Sequence, residues 1–447
     1  MQNNYLKILG LHIFIGIIIY FSRFLGNVYF YSIIIYFGYR VFNAQKSNKS
    51  FEIIKACTYI LAAEVILRIT NSGFFYESSK YLVIVFCLIG LFFKGFNLKA
   101  TPYMLYILLL VPGVYVSLYL LDISGNIRKA IAFNLSGPVC LGLSALFCYG
   151  VPITKKQLET IINFAIYPLV STLTFIVLFN PNVSEVVTGT GSNYAASGGF
   201  GPNQVSTVLG LGMFLATVRF FYYSKIPLIR YIDLALILIF SFRALVTFSR
   251  GGVFTAIIMV AVFLVLIYKE IDSSNKAKLY TSIVLFLGFA FATWLYSTVQ
   301  TNGLLEKRYA NQNAMGVEKE DITTGRGYLF MKEFNEFVEN PFLGVGVGRI
   351  KDLRFQKTGI HAASHNEMSR IISEHGLLGV LAFSILLFVP LFLRFKDRSN
   401  VLFYSFYLFW LLTINHSAMR IAAPAFVYAL SLLHITNEKP RIHRQQA

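Results

Sequence analysis

Charge is what this sequence has least of, and acidic charge is the scarcer kind. Only 13% of the 447 residues are charged, with 21 Asp and Glu against 39 Lys and Arg and a net charge of +18. Soluble domains carry about 25% charged residues, so a chain with this deficit, 56% hydrophobic residues and a mean hydropathy of +0.62 is a polytopic membrane protein. Carboxylates are too sparse for a divalent metal cluster, the aspartates assigned to the outer side being Asp122, Asp321 and Asp352. No GxxxxGK[ST], HExxH, GxSxG or DxD occurs, which leaves ATP hydrolysis unsupported and gives no reason to expect a metal or other cofactor. Cys57, Cys87, Cys140 and Cys148 lie within or at the ends of apolar runs without paired spacing, which suggests neither a disulfide framework nor a zinc site. There is no fixed-period repeat, and the apolar runs do not pair as inverted halves, which disfavours a secondary transporter.

What the chain does have is serial apolar runs of roughly 17–20 residues, each long enough to cross a bilayer core of about 30 Å as a helix. They predict an all-α polytopic fold with about 14 spans (12–14), near 6–22, 26–43, 54–70, 80–97, 103–121, 131–152, 160–180, 204–224, 231–248, 251–268, 279–298, 376–394, 401–414 and 421–436. The N-terminal run has no small-residue cleavage site and is expected to be the first span. With the N-terminus inside, the basic loops fall on the cytoplasmic face, "NIRK" at Asn126–Lys129 being the main exception; this scatter of short basic loops fits membrane topology better than nucleic-acid binding.

The opposite face receives two long segments, so the expected organisation is an N-terminal bundle (1–180), a Gly/Ser-rich loop (181–203), spans including "SRGG" (204–298), a long loop (299–375) and C-terminal spans with a basic tail (376–447). The long loop contains "TGRGYLFMKEFNEFVEN", read as an amphipathic helix with Phe330, Phe334, Phe337 and Val338 on one face, lying against the membrane side of the bundle. "GVGVG" at Gly344–Gly348 lacks the third glycine of GxGxxG, because Arg349 takes that place, and is read as a turn.

Arginine dominates the outer face: Arg250 in "FSRGGVF", Arg326 in "TTGRGYLF", and Arg349, Arg354, Arg370 and Arg420. A guanidinium fork matches paired phosphate oxygens, and the two glycines of "SRGG" would let backbone N–H groups approach an anion at a helix start. This combination suggests a phosphate or pyrophosphate site; Arg250 fits equally the simpler role of a side chain snorkelling to the interface. In "SHNEMSRIISEHGLLG", Ser364 and Glu367 form a capping-box pattern, and the helix either continues into lipid or kinks at Gly376. His365 lies by the positive end of that helix, which favours a neutral ring able to take a proton. A single histidine also fits a structural role, and His361 and His375 are weaker candidates. "NHSAMR", Asn415 to Arg420, lies on the same side. Glu64 with Arg68, and Arg243, fall inside spans, where they are functional or architectural.

These residues resemble the O-antigen ligase and Wzy polymerase superfamily of bacterial envelope glycosyltransferases. Its ligase pattern, H-[NSQ], nine residues, then G-x-x-[GTY], is met by His365-Asn366, Gly376 and Gly379. "SRGG" after a span, "GR" opening a loop helix that ends in "NPFLGVGVG", and "GGFGPNQ" at Gly198–Gln204 are similar to further elements of the superfamily, and the similarity covers roughly residues 190–390. The resemblance implies a metal-independent, GT-C-like transferase in the bacterial inner membrane with its active site facing the periplasm. Its donor would be a glycan on undecaprenyl pyrophosphate, held by Arg250 and Arg326, and its acceptor a sugar hydroxyl activated by His365. Asn203, Gln204, Asn366, Arg349 and Arg420 are further candidates for substrate binding. A ligase would transfer the glycan to lipid A-core, whereas a polymerase would join lipid-linked repeats of O-antigen, capsule or exopolysaccharide. A lipid-linked oligosaccharide flippase is a third reading, disfavoured because the chemistry gathers in one outer loop and not at the bilayer midplane.

Overall fold

A computed structural model describes residues 2–120, 127–321, 323, 325–359 and 364–436. Asp122, Asn126, His361 and the basic tail beyond residue 436 lie outside the described residues. The rest is helix almost throughout, as lipid demands, since a spanning segment must satisfy its backbone N–H and C=O groups internally. In order come α1 (Gln2–Phe21), α2 (Phe24–Asn43), α3 (Lys49–Ile69), α4 (Ser78–Lys94), α5 (Thr101–Leu109), α6 (Val111–Leu120), α7 (Ile127–Cys148), α8 (Lys155–Phe179), α9 (Val183–Val186) and α10 (Pro202–Val218), the last running into a π-helical turn at Arg219–Tyr223. Then follow α11 (Pro227–Leu245), α12 (Arg250–Glu270), α13 (Ser273–Gln300), α14 (Leu304–Tyr309), α15 (Arg326–Glu339), α16 (Ile350–Thr358), α17 (Glu367–Lys396), α18 (Phe403–Ile414) and α19 (Ala422–Ser431). Two three-residue strands, β1 (Pro152–Thr154) and β2 (His434–Thr436), pair in parallel and tie the start of α8 to the chain beyond α19.

Each of the fourteen apolar runs overlaps a helix, but eight helical stretches among the described residues are long and apolar enough to cross a membrane: Asn4–Phe21, Leu98–Tyr119, Arg128–Cys148, Lys155–Phe179, Pro202–Tyr223, Arg250–Lys269, Lys276–Gln300 and Glu367–Lys396. Of the others, α18 and α19 are short, α2 is rich in tyrosine and asparagine, and α3 carries charge, with Glu52, Lys55, Glu64 and Arg68. Burial explains how α3 bears these charges: it is enclosed by protein nearly all round, packing on α2, α4, α8 and α19. Its Glu64 meets Arg68 one turn on at 2.5 Å and accepts the Ala422 N–H at 2.6 Å, so the pair fastens α3 to α19 instead of facing lipid.

The run at 103–121 is split at Leu110, just before Pro112, which lacks the N–H an unbroken helix would need. Helix α17 is also broken, at Gly376, where φ is +63° and ψ −140°. Only glycine suits this point, because a Cβ would lie 2.5 Å from the Pro341 carbonyl oxygen besides carrying the strain of positive φ. The Leu377 N–H donates to that carbonyl at 2.7 Å, so the segment after α15 is threaded through the kink. "GVGVG" is a turn there, with its amides consumed: Val345 and Gly346 donate to the Ser373 and Glu374 carbonyls at 2.9 and 3.1 Å, and Gly348 donates to Glu374 Oε1 at 2.8 Å.

Helix α15 meets the rest of the protein through its polar side. Its one buried side chain is a carboxylate, Glu333, while Met331, Phe334 and Val338 are exposed and Phe330 and Phe337 half-buried. The helix docks through its polar side because Arg354, Ser364 and Ser369 supply donors there to Glu333, and the aromatic stripe is left partly exposed.

Candidate active site

The first turn of α17 sets the position of His365. Its cap is Asn366, with extended backbone at φ −113° and ψ 120° and a side-chain oxygen that accepts the Ser369 N–H at 3.1 Å. The expected Ser364–Glu367 capping box does not form, because the helix begins at Glu367 itself. Ser364 Oγ donates instead to Glu333 at 3.1 Å, and Glu367 is held by Arg370 and by the Met419 N–H at 3.4 Å. Asn366 spends its amide on Asn415 Oδ1 at 2.9 Å. His365 therefore sits one residue outside the helix, half-buried, with no hydrogen-bond partner to either ring nitrogen among the described residues and with Nδ1 closed off from solvent. Burial, then the charges of Arg420, Arg326 and Arg354, push its pKa down to about 4, so the ring is neutral at neutral pH.

Arg326 and Arg420 act on it together with Arg354, and Arg250 and Arg308 adjoin Arg326 in the same cluster. Arg250 opens α12, Arg326 opens α15, Arg308 closes α14 and Arg420 lies between α18 and α19. Arg420 donates to the Ser364 carbonyl at 2.9 Å and so braces the residue before His365. The Arg308 guanidinium is pushed down to about 10 by burial and by the charges of Arg250 and Arg326; Arg326 is lowered by burial, Arg250 and Arg420; Arg420 is lowered chiefly by burial. Like charges brought this close hold one another in a strained arrangement that an anion would relieve.

The other expected arginines are engaged by partners in the protein. Arg370 is clamped between Glu367 and Glu374, Arg354 pairs with Glu333, and Arg349 donates to Val345 O at 3.3 Å in its own turn. Asn203 stands next to Arg250, taking a 2.8 Å hydrogen bond from Ser249 Oγ, and Gln204 keeps a buried side-chain oxygen without a partner. The glycines of "SRGG" are required by packing, whether or not their amides also meet an anion. A Cβ on Gly251 would lie 2.4 Å from the His416 ring, and one on Gly252 would lie 2.4 Å from the Ser206 backbone of α10. Among the described residues no three His, Cys, Asp or Glu side chains converge as a metal site would need.

Two site residues, Arg308 and Glu333, have no motif and escaped the sequence reading. Glu333 is 1% exposed and accepts from Arg354, Ser364 Oγ and Ser369 Oγ, joining the helix that Arg326 opens to the turn that carries His365. Replacing Glu333 with alanine leaves Arg354 buried without this partner, at an expected cost of about 3–5 kcal/mol. Thermal unfolding in detergent measures it, and a Tm equal to wild type would show that the carboxylate does not hold the two segments together.

Fold and site together describe a helical membrane protein with a cluster of arginines and a histidine where the helices of the long loop meet the bundle. Residues 234–384 match the family model described as O-antigen ligase. Over this third of the chain the protein is similar to the O-antigen ligase family. The match includes Arg250, Arg308, Arg326, Arg349, His365 and Asn366 and leaves Asn203, Gln204 and Arg420 outside it. No curated protein matched the chain.

Proposed function

We propose that this protein is an O-antigen ligase-like glycosyltransferase of the bacterial inner membrane, with about 14 spans of roughly bilayer length or shorter. It moves a glycan from undecaprenyl pyrophosphate to a sugar hydroxyl at the periplasmic face. The observation that carries the reading is a histidine, unpartnered among the described residues and held neutral by burial, at the edge of clustered arginines. His365 takes the proton of the acceptor hydroxyl as its oxygen attacks the anomeric carbon, the bond from that carbon to the pyrophosphate oxygen breaks, and the electron pair leaves with the pyrophosphate. Arg250 and Arg326 stabilise the charge that develops there, and attack opposite the leaving group inverts the anomeric centre. The activated donor supplies the driving force, so ATP is not required, and the arginines take the place a metal ion would have at the leaving pyrophosphate.

A lipid-linked donor is further supported by an apolar cavity of about 510 Å³ between α10, α11, α12 and α13, lined by Met213, Ile237, Leu245, Phe254, Trp294 and Tyr309 among others. The test is transfer by purified protein from a lipid-linked glycan offered in parallel lipid A-core and a second lipid-linked repeat. Glycan on lipid A-core is the expected product. Elongated lipid-linked glycan would assign the polymerase reaction instead, and no transfer to either acceptor would remove the transferase reading.

A further inference from the structure

Arg308 and Tyr309 are adjacent in sequence and belong to different surroundings. Arg308 is 7% exposed. Its Nε donates to the Phe248 carbonyl at 3.1 Å, and its own carbonyl is 3.5 Å from Arg250 Nη1. Among the described residues no carboxylate pairs with it, and the charges it feels most are the like charges of Arg250 and Arg326. A protein does not bury a guanidinium against two other cations for stability, since desolvation and repulsion both oppose it. A ligand of opposite charge explains the placement, and the bond to Phe248 O fixes the fork before that ligand arrives.

Tyr309 turns the other way. Its ring packs edge-on to Trp294 at 4.8 Å between centroids and to Phe254 at 5.7 Å, and all three line the apolar cavity. One peptide unit therefore separates a cationic site from a hydrocarbon-sized cavity. From this juxtaposition we infer that Arg308 is a third phosphate-holding arginine and that Tyr309 marks where the hydrocarbon chain of the ligand begins, so the site takes an amphiphile whose phosphate is joined directly to its chain. A polyprenyl phosphate or pyrophosphate has this form; a glycerophospholipid, which spaces its chains from phosphate by an esterified glycerol, does not. The inference rests on the donor site proposed above, but it assigns residues and a head-to-tail register that the motifs do not contain.

Binding of farnesyl pyrophosphate and of inorganic pyrophosphate to the full-length protein in detergent tests it. Arg308→Gln is expected to weaken both probes by about tenfold or more, the loss of a hydrogen bond between charged groups. Tyr309→Ala is expected to weaken farnesyl pyrophosphate alone. Arg308→Lys keeps the cation but loses the fork and the Phe248 bond, so several-fold weaker binding at a wild-type Tm is expected, and it decides the matter if the glutamine variant does not fold. Wild-type affinity in the Arg308 variants, or equal weakening of both probes by Tyr309→Ala, overturns the inference. An Arg250→Ala, Arg326→Ala protein measured alongside separates the two levels: if that variant loses pyrophosphate and the Arg308 variants do not, the donor site stands and this inference alone fails.

Discussion

His365→Ala is expected to lower glycan transfer by about 10²–10⁴-fold, the usual contribution of a positioned general base, while donor binding stays within experimental error. The split follows from position. His365 neighbours Arg326 and Arg420 and donates to none of the described groups, so its removal takes away proton acceptance and leaves the arginine cluster whole. The pH dependence carries the sign. A base must be unprotonated, and in the free protein burial, Arg420, Arg326 and Arg354 hold this ring at about 4, so kcat/KM should fall only as pH drops toward that value and not near the ordinary 6.5. A bound pyrophosphate offsets the arginine charges and raises the pKa, so the acid limb of kcat belongs at higher pH than that of kcat/KM. Arg420→Met removes the largest charge contribution and should also move the kcat/KM limb upward. Full transfer by His365→Ala, or a kcat/KM limb that ignores Arg420, would remove His365 from the base role.

His365 stands out in the sequence as a candidate base for a reason to which the structure adds others. A helix start beside His365 suggested a neutral imidazole, and the ring is neutral, but the larger influences are burial and three arginines from α15, α16 and the α18–α19 connection. Helical runs, the kink at Gly376 and the arginines that open α12 and α15 could all be read locally, because apolar spacing, a glycine between two helical patterns and a residue preceding a helix are local signals. Arg308 and Glu333 could not. Glu333 sits in an amphipathic pattern whose aromatic side looks like the docking face; only Arg354, Ser364 and Ser369, 21 to 36 residues away, turn its polar side inward. The same holds for "SRGG", where His416 and Ser206, far along the chain, explain why a side chain has no room at Gly251 or Gly252.

Arg250→Ala combined with Arg326→Ala is expected to reduce kcat/KM for the lipid-linked donor by about 10²–10⁴-fold, since two hydrogen bonds between charged groups at roughly 1.5–3 kcal/mol each are removed from a departing anion. The single variants should not simply add, because the two guanidinium groups lie close enough to perturb one another and their ligand is shared. Stability should move the other way. Arg326 makes no side-chain ion pair among the described residues and is pressed by Arg250 and Arg420, so removing it relieves repulsion, and the Tm of Arg326→Ala without ligand should equal or exceed that of wild type. An arginine kept for packing would behave oppositely, lowering Tm and leaving donor kinetics intact, so measuring both quantities on one variant distinguishes the roles. The residue that costs the empty protein stability and supplies catalysis to the loaded one is the residue placed for its ligand.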